Sequence, residues 1–218
     1  MPLEPIRRVN LAHDITDRLS QAIVAGDFPA GALLSEPMLA RTLGVSRAPV
    51  REALIELGNR GMVEFDDRGR SRVPSLGHDD LVDILRIRMS LEPLAAALAA
   101  TRRDAGALVT LEHNLAVTRS ARTRAELAAG DTAFHSGVVR ASGSRRLQLC
   151  WKVVEHQVDL WLAQMQSRVD AVCDELRDTT VAAHATMLDA IRAGDADRAE
   201  ELASSHLAEW LGVLVPAS

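Results

Sequence analysis

Between Leu34 and Leu54 the chain carries two short helix-forming runs broken by Gly44-Val45-Ser46, and this break admits few backbone paths. Glu36 to Leu43 sets Met38, Leu39 and Leu43 at helical spacing. Ser35 stands where a side-chain oxygen can cap the free amides of that helix, and Pro37 falls early, where no amide is needed. Gly44 then ends it. A tight turn between helices needs a left-handed residue, which glycine supplies without steric cost, and Val45 can pack back between the two helices. Ser46 is placed to cap a second helix that turns Val50, Leu54 and Leu57 to one side. Arg47 and Arg51, four residues apart, are left on its outward face.

This is the pattern of a helix-turn-helix, whose second helix meets base edges and phosphates near its start. A pair of ordinary surface helices would show the same arginines, so spacing alone leaves both readings open. The next residues add to the first. Glu52 to Gly61 closes the helix at a glycine, Met62-Val-Glu-Phe65 reads as a short strand, and Asp66 to Val73 as a turn and a second strand. Two strands after a recognition helix form a wing. Arg68, Arg70 and Arg72 around Gly69 would carry its tip to the DNA backbone or minor groove, where arginine is favoured.

Residues 12 to 73 resemble the winged helix-turn-helix of the GntR family. The resemblance rests on Ile23-Val-Ala-Gly26, Pro29-Ala-Gly31-Ala-Leu-Leu, Leu39-Ala40, Gly44-Val-Ser-Arg47, Pro49-Val-Arg-Glu-Ala-Leu54 and Gly61. It implies that Ser46, Arg47, Pro49 and Arg51 contact DNA from the recognition helix, that Arg41 contacts the backbone, and that Gly69 lies in the wing. Two positions depart from the family pattern. Pro37 stands where relatives often carry a basic residue, and Ala48 where Thr is common, so contacts at those points are lost.

A formal charge of -5 over 218 residues sits awkwardly with DNA until it is divided. Residues 1 to 75 hold as many arginines as Asp plus Glu, so the acidic excess lies wholly beyond residue 75. Net charge governs steering and solubility, and a mildly acidic total is compatible with binding through one basic face. An apolar content of 47% excludes a disordered chain. The start, Met1-Pro-Leu-Glu-Pro-Ile-Arg-Arg, lacks the apolar core of a signal peptide, and no long apolar run suggests a membrane span, so a cytoplasmic protein is expected. Cys150 and Cys173 are too few for a disulfide framework and read as small buried hydrophobes.

Val73-Pro-Ser-Leu-Gly-His78 breaks the periodicity just after the wing. Beyond it the pattern is helical throughout: 79–103, 105–122, 124–141, 145–168, 169–193 and 196–215 each carry apolar residues at three- and four-residue intervals. The expected fold is mainly α. Residues 1–75 form a winged helix-turn-helix of three helices plus a two-stranded wing, and residues 76–218 an all-helical bundle of six or seven helices.

Within the bundle, Asp131 and His135 lie four apart on one helix face, with His184 two helices later and His206 on the last helix. Any one of these histidines is ordinarily a surface or hydrogen-bonded core residue. The surrounding words carry more: Asp131-Thr-Ala-Phe-His135, Ala141-Ser-Gly143, His184 to Asp195, and Ala203-Ser-Ser-His-Leu207. They resemble the FCD ligand-binding domain of the FadR subfamily of GntR regulators, over residues 79 to 213. That resemblance implies that Asp131, His135, His184 and His206 converge on a divalent metal ion. Three imidazoles and a carboxylate suit zinc, nickel or a similar borderline ion.

The phrase Arg86-Ile-Arg-Met-Ser-Leu-Glu92 resembles the first helix of that domain, in which the residue matching Arg88 can pair with an effector carboxylate through two parallel hydrogen bonds. A salt bridge to Glu92, four residues on, is the competing reading. Trp151 and His156 could line a cavity, with packing as the default.

Together the two resemblances imply a homodimeric regulator on an inverted-repeat operator, a repressor released by a small carboxylate metabolite. A regulator whose metal is structural, or is itself the signal, remains an alternative. A metalloenzyme is disfavoured, since the metal-site words offer no extra Glu or Asp placed as general base.

Overall fold

The computed structural model describes residues 11–166 and 174–214. Its contacts divide the chain between Ser75 and Leu76 into two compact units.

The first unit contains α1 (Leu11–Val24), α2 (Glu36–Leu43), α3 (Arg47–Asn59) and an antiparallel pair, β1 (Glu64–Phe65) with β2 (Ser71–Arg72). Ile15, Leu19 and Ile23 of α1, Leu39 of α2, and Val50, Leu54 and Leu57 of α3 are buried, joined by Met62, Val63 and Val73 from the strand region. The helical spacing of these apolar residues therefore does what it predicts, save that Met38 is exposed and Leu43 half-buried. Gly44 adopts the left-handed conformation at φ 66°, and its N–H closes α2 on Ala40 and Arg41. The wing gains a third edge that the sequence reading lacks. Leu33 bridges to Arg72, Leu34 N–H donates to Ser71 O, and Gly31 N–H to Val73 O, so the segment before α2 pairs with β2.

Ser35 and Ser46 occupy the N-cap positions of α2 and α3 with extended backbones, but neither makes a side-chain capping bond. The expectation of two serine caps is thus corrected. A cap oxygen normally accepts from the second or third amide of its helix. Pro37 takes the second place in α2 and Pro49 the third in α3, so each serine loses one of its two targets.

The second unit is a bundle of six helices among the described residues: α4 (His78–Arg102), α5 (Ala105–Ser120), α6 (Arg124–Ala141), α7 (Arg145–Gln166), α8 (Asp174–Ala193) and α9 (Ala196–Leu214). The expected continuation of the seventh and eighth helices across 167–173, and the end of the last, lie outside the described residues. Local signals set the boundaries. Asp104 accepts from Ala107 N–H, and Thr123 and Glu126 form a reciprocal capping box at the start of α6. Gly143 and Gly194, both at positive φ, terminate α6 and α8.

Helix α4 runs through the bundle and packs against α6, α7, α8 and α9. Its Ala95, Ala96, Ala99 and Ala100 are fully buried and let neighbouring backbones approach closely. Phe134, Val138, Leu111, Trp151, Met187, Leu188 and Ile191 fill the space around them. Cys150 is exposed on α7, against the expectation of a buried hydrophobe, because its neighbour Trp151 takes the inward position; Cys173 lies outside the described residues. No described helix is long and apolar enough to cross a membrane.

Candidate metal centre and nucleic-acid interface

Three helices bring four side chains to one point inside the bundle. Asp131 and His135 come from α6 one turn apart, His184 from α8 and His206 from α9, and one donor atom of each lies within 4.8 Å of all the others. His135, His184 and His206 are buried, and Asp131 lies at their edge. The ring planes are held by packing. Phe134 stacks on His184 at 4.1 Å and 7°, and His135 lies parallel to His206 at 5.3 Å.

The donors face one another. His135 Nε2 and His184 Nε2 are 3.3 Å apart, and Asp131 Oδ1 is 3.3 Å from the latter and 3.6 Å from the former, without an aligned hydrogen bond. Metal–nitrogen and metal–oxygen bonds of about 2.0–2.2 Å in a tetrahedron put neighbouring donors roughly 3.3–3.6 Å apart. The observed triangle fits that edge, and an orphaned buried carboxylate oxygen is what a cation would satisfy.

Electrostatics agree with this geometry for two of the three imidazoles. Burial pushes His206 down to about 3, helped by the neighbouring His135, and burial also lowers His184 despite the pull of Asp131. Both rings are therefore neutral, the form that binds metal. His135 differs: burial opposes its charge, but Glu92 and Asp131 together raise it to about 9. Burial likewise opposes ionisation of Asp131, and His135 and His184 hold it well below the ordinary carboxylate value.

Arg88 is buried on α4 and makes the salt bridge to Glu92. Its Nε donates to Glu92 Oε1 at 2.5 Å, and its guanidinium lies 5.9 Å from the centre of the Trp151 ring. Burial opposes its charge, yet Glu92 and Asp131 raise its pKa. Glu92 was visible in the sequence only as a partner for Arg88; its other oxygen contacts His135 Nδ1 across the helix interface. The nearby face of α7 is also polar. Trp151 Nε1 donates to Ser136 Oγ at 2.8 Å, and Ser136 in turn donates to Glu155. His156 is half-buried and caps back on Lys152 O of its own helix.

In the first unit, Arg41, Ser46, Arg47 and Arg51 are exposed, Pro49 is half-buried at the start of α3, and Gly69 sits exposed at φ 72° in the wing tip. Arg47, Arg51 and Ser46 thus share the N-terminal end of one helix. Arg51 is not loose: Glu36 accepts from its Nε at 2.8 Å and its Nη2 at 2.9 Å. Asp66 organises the wing, accepting from Arg68 N–H at 3.0 Å, from Arg70 N–H at 2.9 Å, from Arg70 Nε at 2.7 Å and from Arg72 Nη2 at 3.3 Å. An aspartate just before a Gly-containing turn is the signal that could have found it.

The sequence profile of the bacterial regulatory proteins of the gntR family matches residues 11–73, and that of the FCD domain matches residues 83–209. This chain belongs to the GntR family. It is a DNA-binding transcriptional regulator of the FCD-containing type. Among its relatives, the probable D-xylose utilization operon transcriptional repressor of Paenarthrobacter nicotinovorans is 32% identical over 94% of this chain and 89% of its own. An uncharacterised HTH-type transcriptional regulator of Mycobacterium tuberculosis is 34% identical over 70% of each. Escherichia coli McbR/YncC shares the fold, with a TM-score of 0.77 at 23% identity over 95% of this chain and 98% of that one. A GntR regulator of Rhodococcus follows at 0.73 and 24%, over 95% and 98%. These relatives are regulators of transcription.

Proposed function

We propose that this GntR regulator is a homodimeric repressor whose bundle holds a divalent metal ion and a small carboxylate effector, and that the effector weakens operator binding. The observation that carries the reading is the convergence of Asp131, His135, His184 and His206, from three helices, with mutually facing donor atoms. Zinc or nickel suits three imidazoles and one carboxylate. A bound ion would offer further positions to an oxygen donor of the effector. The chain does the rest. Neutral His184 and His206 present lone pairs, Asp131 contributes charge, and Arg88 turns its Nη edge to the ligand, since Glu92 already occupies Nε.

On the DNA side, Arg47 and Arg51 would read base edges while Arg41, Ser46, Pro49 and the Gly69 wing tip set the register on the backbone. Ser46 supports this, because its hydroxyl makes no cap bond and remains available to a phosphate. Two recognition helices on one inverted repeat require two chains. An effector acts only through unequal affinity for two conformations, so it must favour a dimer whose helices miss successive major grooves.

The test is operator affinity of Zn2+-loaded protein against a panel of small carboxylates and hydroxycarboxylates. Release from DNA by one of them, lost in His184→Ala, supports the reading. Insensitivity to the whole panel would remove the effector. The near-complete burial of His135 and His184 favours a second reading, in which the ion is structural or is itself the signal. Unfolding on chelation, with no metabolite altering thermal stability, would select it.

A further inference from the structure

Glu92 is 2% exposed and touches two charged groups from opposite sides. Its Oε1 accepts from Arg88 Nε, one turn earlier on α4, and its Oε2 contacts Nδ1 of His135 on α6. We propose that Glu92 is a positioning residue that couples whatever Arg88 binds to the affinity of the Asp131, His135, His184 and His206 cluster for a divalent cation. This rests on the reading of that cluster as a metal centre.

The argument starts with the imidazole. A carboxylate against Nδ1 keeps a proton on that nitrogen, so the proton that a cation displaces is the one on Nε2, which faces Asp131 and His184. His135 Nε2 is the atom 3.3 Å from His184 Nε2, so the nitrogen that Glu92 leaves for a cation is the one facing the cluster. It also locks the ring, since Phe134 and His206 constrain the same imidazole from other directions.

The second half concerns sharing. One buried carboxylate serves both a guanidinium and an imidazole, and in a dry site electron density drawn by one donor is withdrawn from the other. An anion that takes up Arg88 loosens its hold on Glu92, which then presses harder on His135 and makes Nε2 the stronger donor. Linkage is reciprocal: an anion at Arg88 that tightens the cation is itself tightened by the cation. Arg88 also lies over Trp151, so the same residue reports to α7. Arg88 and the cluster then act as one site rather than two adjacent ones.

A double-mutant cycle on Zn2+ affinity, read by competition with a chromophoric chelator, tests the coupling. Glu92→Gln is expected to weaken Zn2+ binding by about 10- to 100-fold, the usual cost of losing a carboxylate behind a ligating histidine. Arg88→Met is expected to tighten it, because Glu92 is freed for His135. In Glu92→Gln/Arg88→Met that gain should shrink at least threefold. A gain of equal size in both backgrounds, or unchanged affinity in Glu92→Gln, would overturn the proposal while leaving the metal centre intact. Failure of the unsubstituted protein to bind Zn2+ would remove the centre and the proposal together. If Glu92→Gln does not fold, as judged by near-UV dichroism, Glu92→Asp carries the same cycle with reduced coupling, and strict additivity there would likewise overturn it.

Discussion

Glu36, at the start of α2, grips Arg51 of α3 through both carboxylate oxygens, at 2.8 and 2.9 Å. The pair is solvent-facing, with the Arg51 side chain 66% exposed, so its contribution to stability is small. Its consequence is for recognition. A guanidinium already held in plane loses less freedom when it meets a base edge.

Arg51→Ala is therefore expected to lower affinity for an operator selected from random duplexes by roughly 1–3 kcal/mol, without changing the melting temperature. Glu36→Gln should behave differently. It frees Arg51 and removes a negative charge near the phosphates, so affinity for scrambled DNA should rise while the ratio of specific to non-specific affinity falls. Fluorescence anisotropy on the two duplexes measures both. An unchanged ratio would show that Glu36 does not orient Arg51.

Asp66 makes the wing pH-sensitive in a defined direction. The Arg70 backbone amide, with further help from the Arg70 side chain and the Arg68 amide, holds its pKa down to about 2. The unfolded value is about 3.9, so the folded value is depressed. Its stabilisation is present above that unfolded value and is lost as pH falls towards 2. Amide shifts of Arg68, Gly69 and Arg70 should stay constant from neutral pH to about 4, then move together below it. Asp66→Asn should abolish that transition and weaken DNA binding at neutral pH.

Gly130 of α6 packs against Thr118 of α5. A β-carbon there would lie 2.6 Å from Thr118 Oγ1 and 3.0 Å from its backbone Cα. Alanine gains about 1 kcal/mol of helix propensity over glycine, but the overlap with a neighbouring backbone costs about 1–3 kcal/mol. Gly130→Ala should therefore be net destabilising and, since Asp131 is the next residue, should lower metal affinity as well. Thermal unfolding and metal titration of the same variant check the two effects. A rise in melting temperature would contradict the close approach of Gly130 to Thr118.

The readings legible in the chain are those whose partners lie within a turn or whose backbone needs a special residue. Gly44 announces a left-handed position, as the structure bears out. The two prolines that disarm Ser35 and Ser46 were equally visible, but their effect depends on where each helix begins, within one residue. Asp131 and His135 could be placed on one face by spacing alone. His184 and His206 reach that face only through the packing of α8 and α9 on α4 and α6, and without the FCD resemblance they would have stayed separate histidines. Glu92 shows the limit most clearly: its bond to Arg88 is an i, i+4 pair, readable at once, whereas its contact with His135 spans two helices and has no local signature. Inward Trp151 beside exposed Cys150 is a matter of helix phase that periodicity alone resolves poorly.

The metal content of the protein, measured by elemental analysis after dialysis against Zn2+ and then metal-free buffer, tests the central claim most directly. One divalent ion per chain, absent from His184→Ala and from His135→Ala while both variants keep their helical content, is the predicted result. No retained ion in the unsubstituted protein, or the same occupancy in both variants, would contradict the account of Asp131, His135, His184 and His206 as a metal centre.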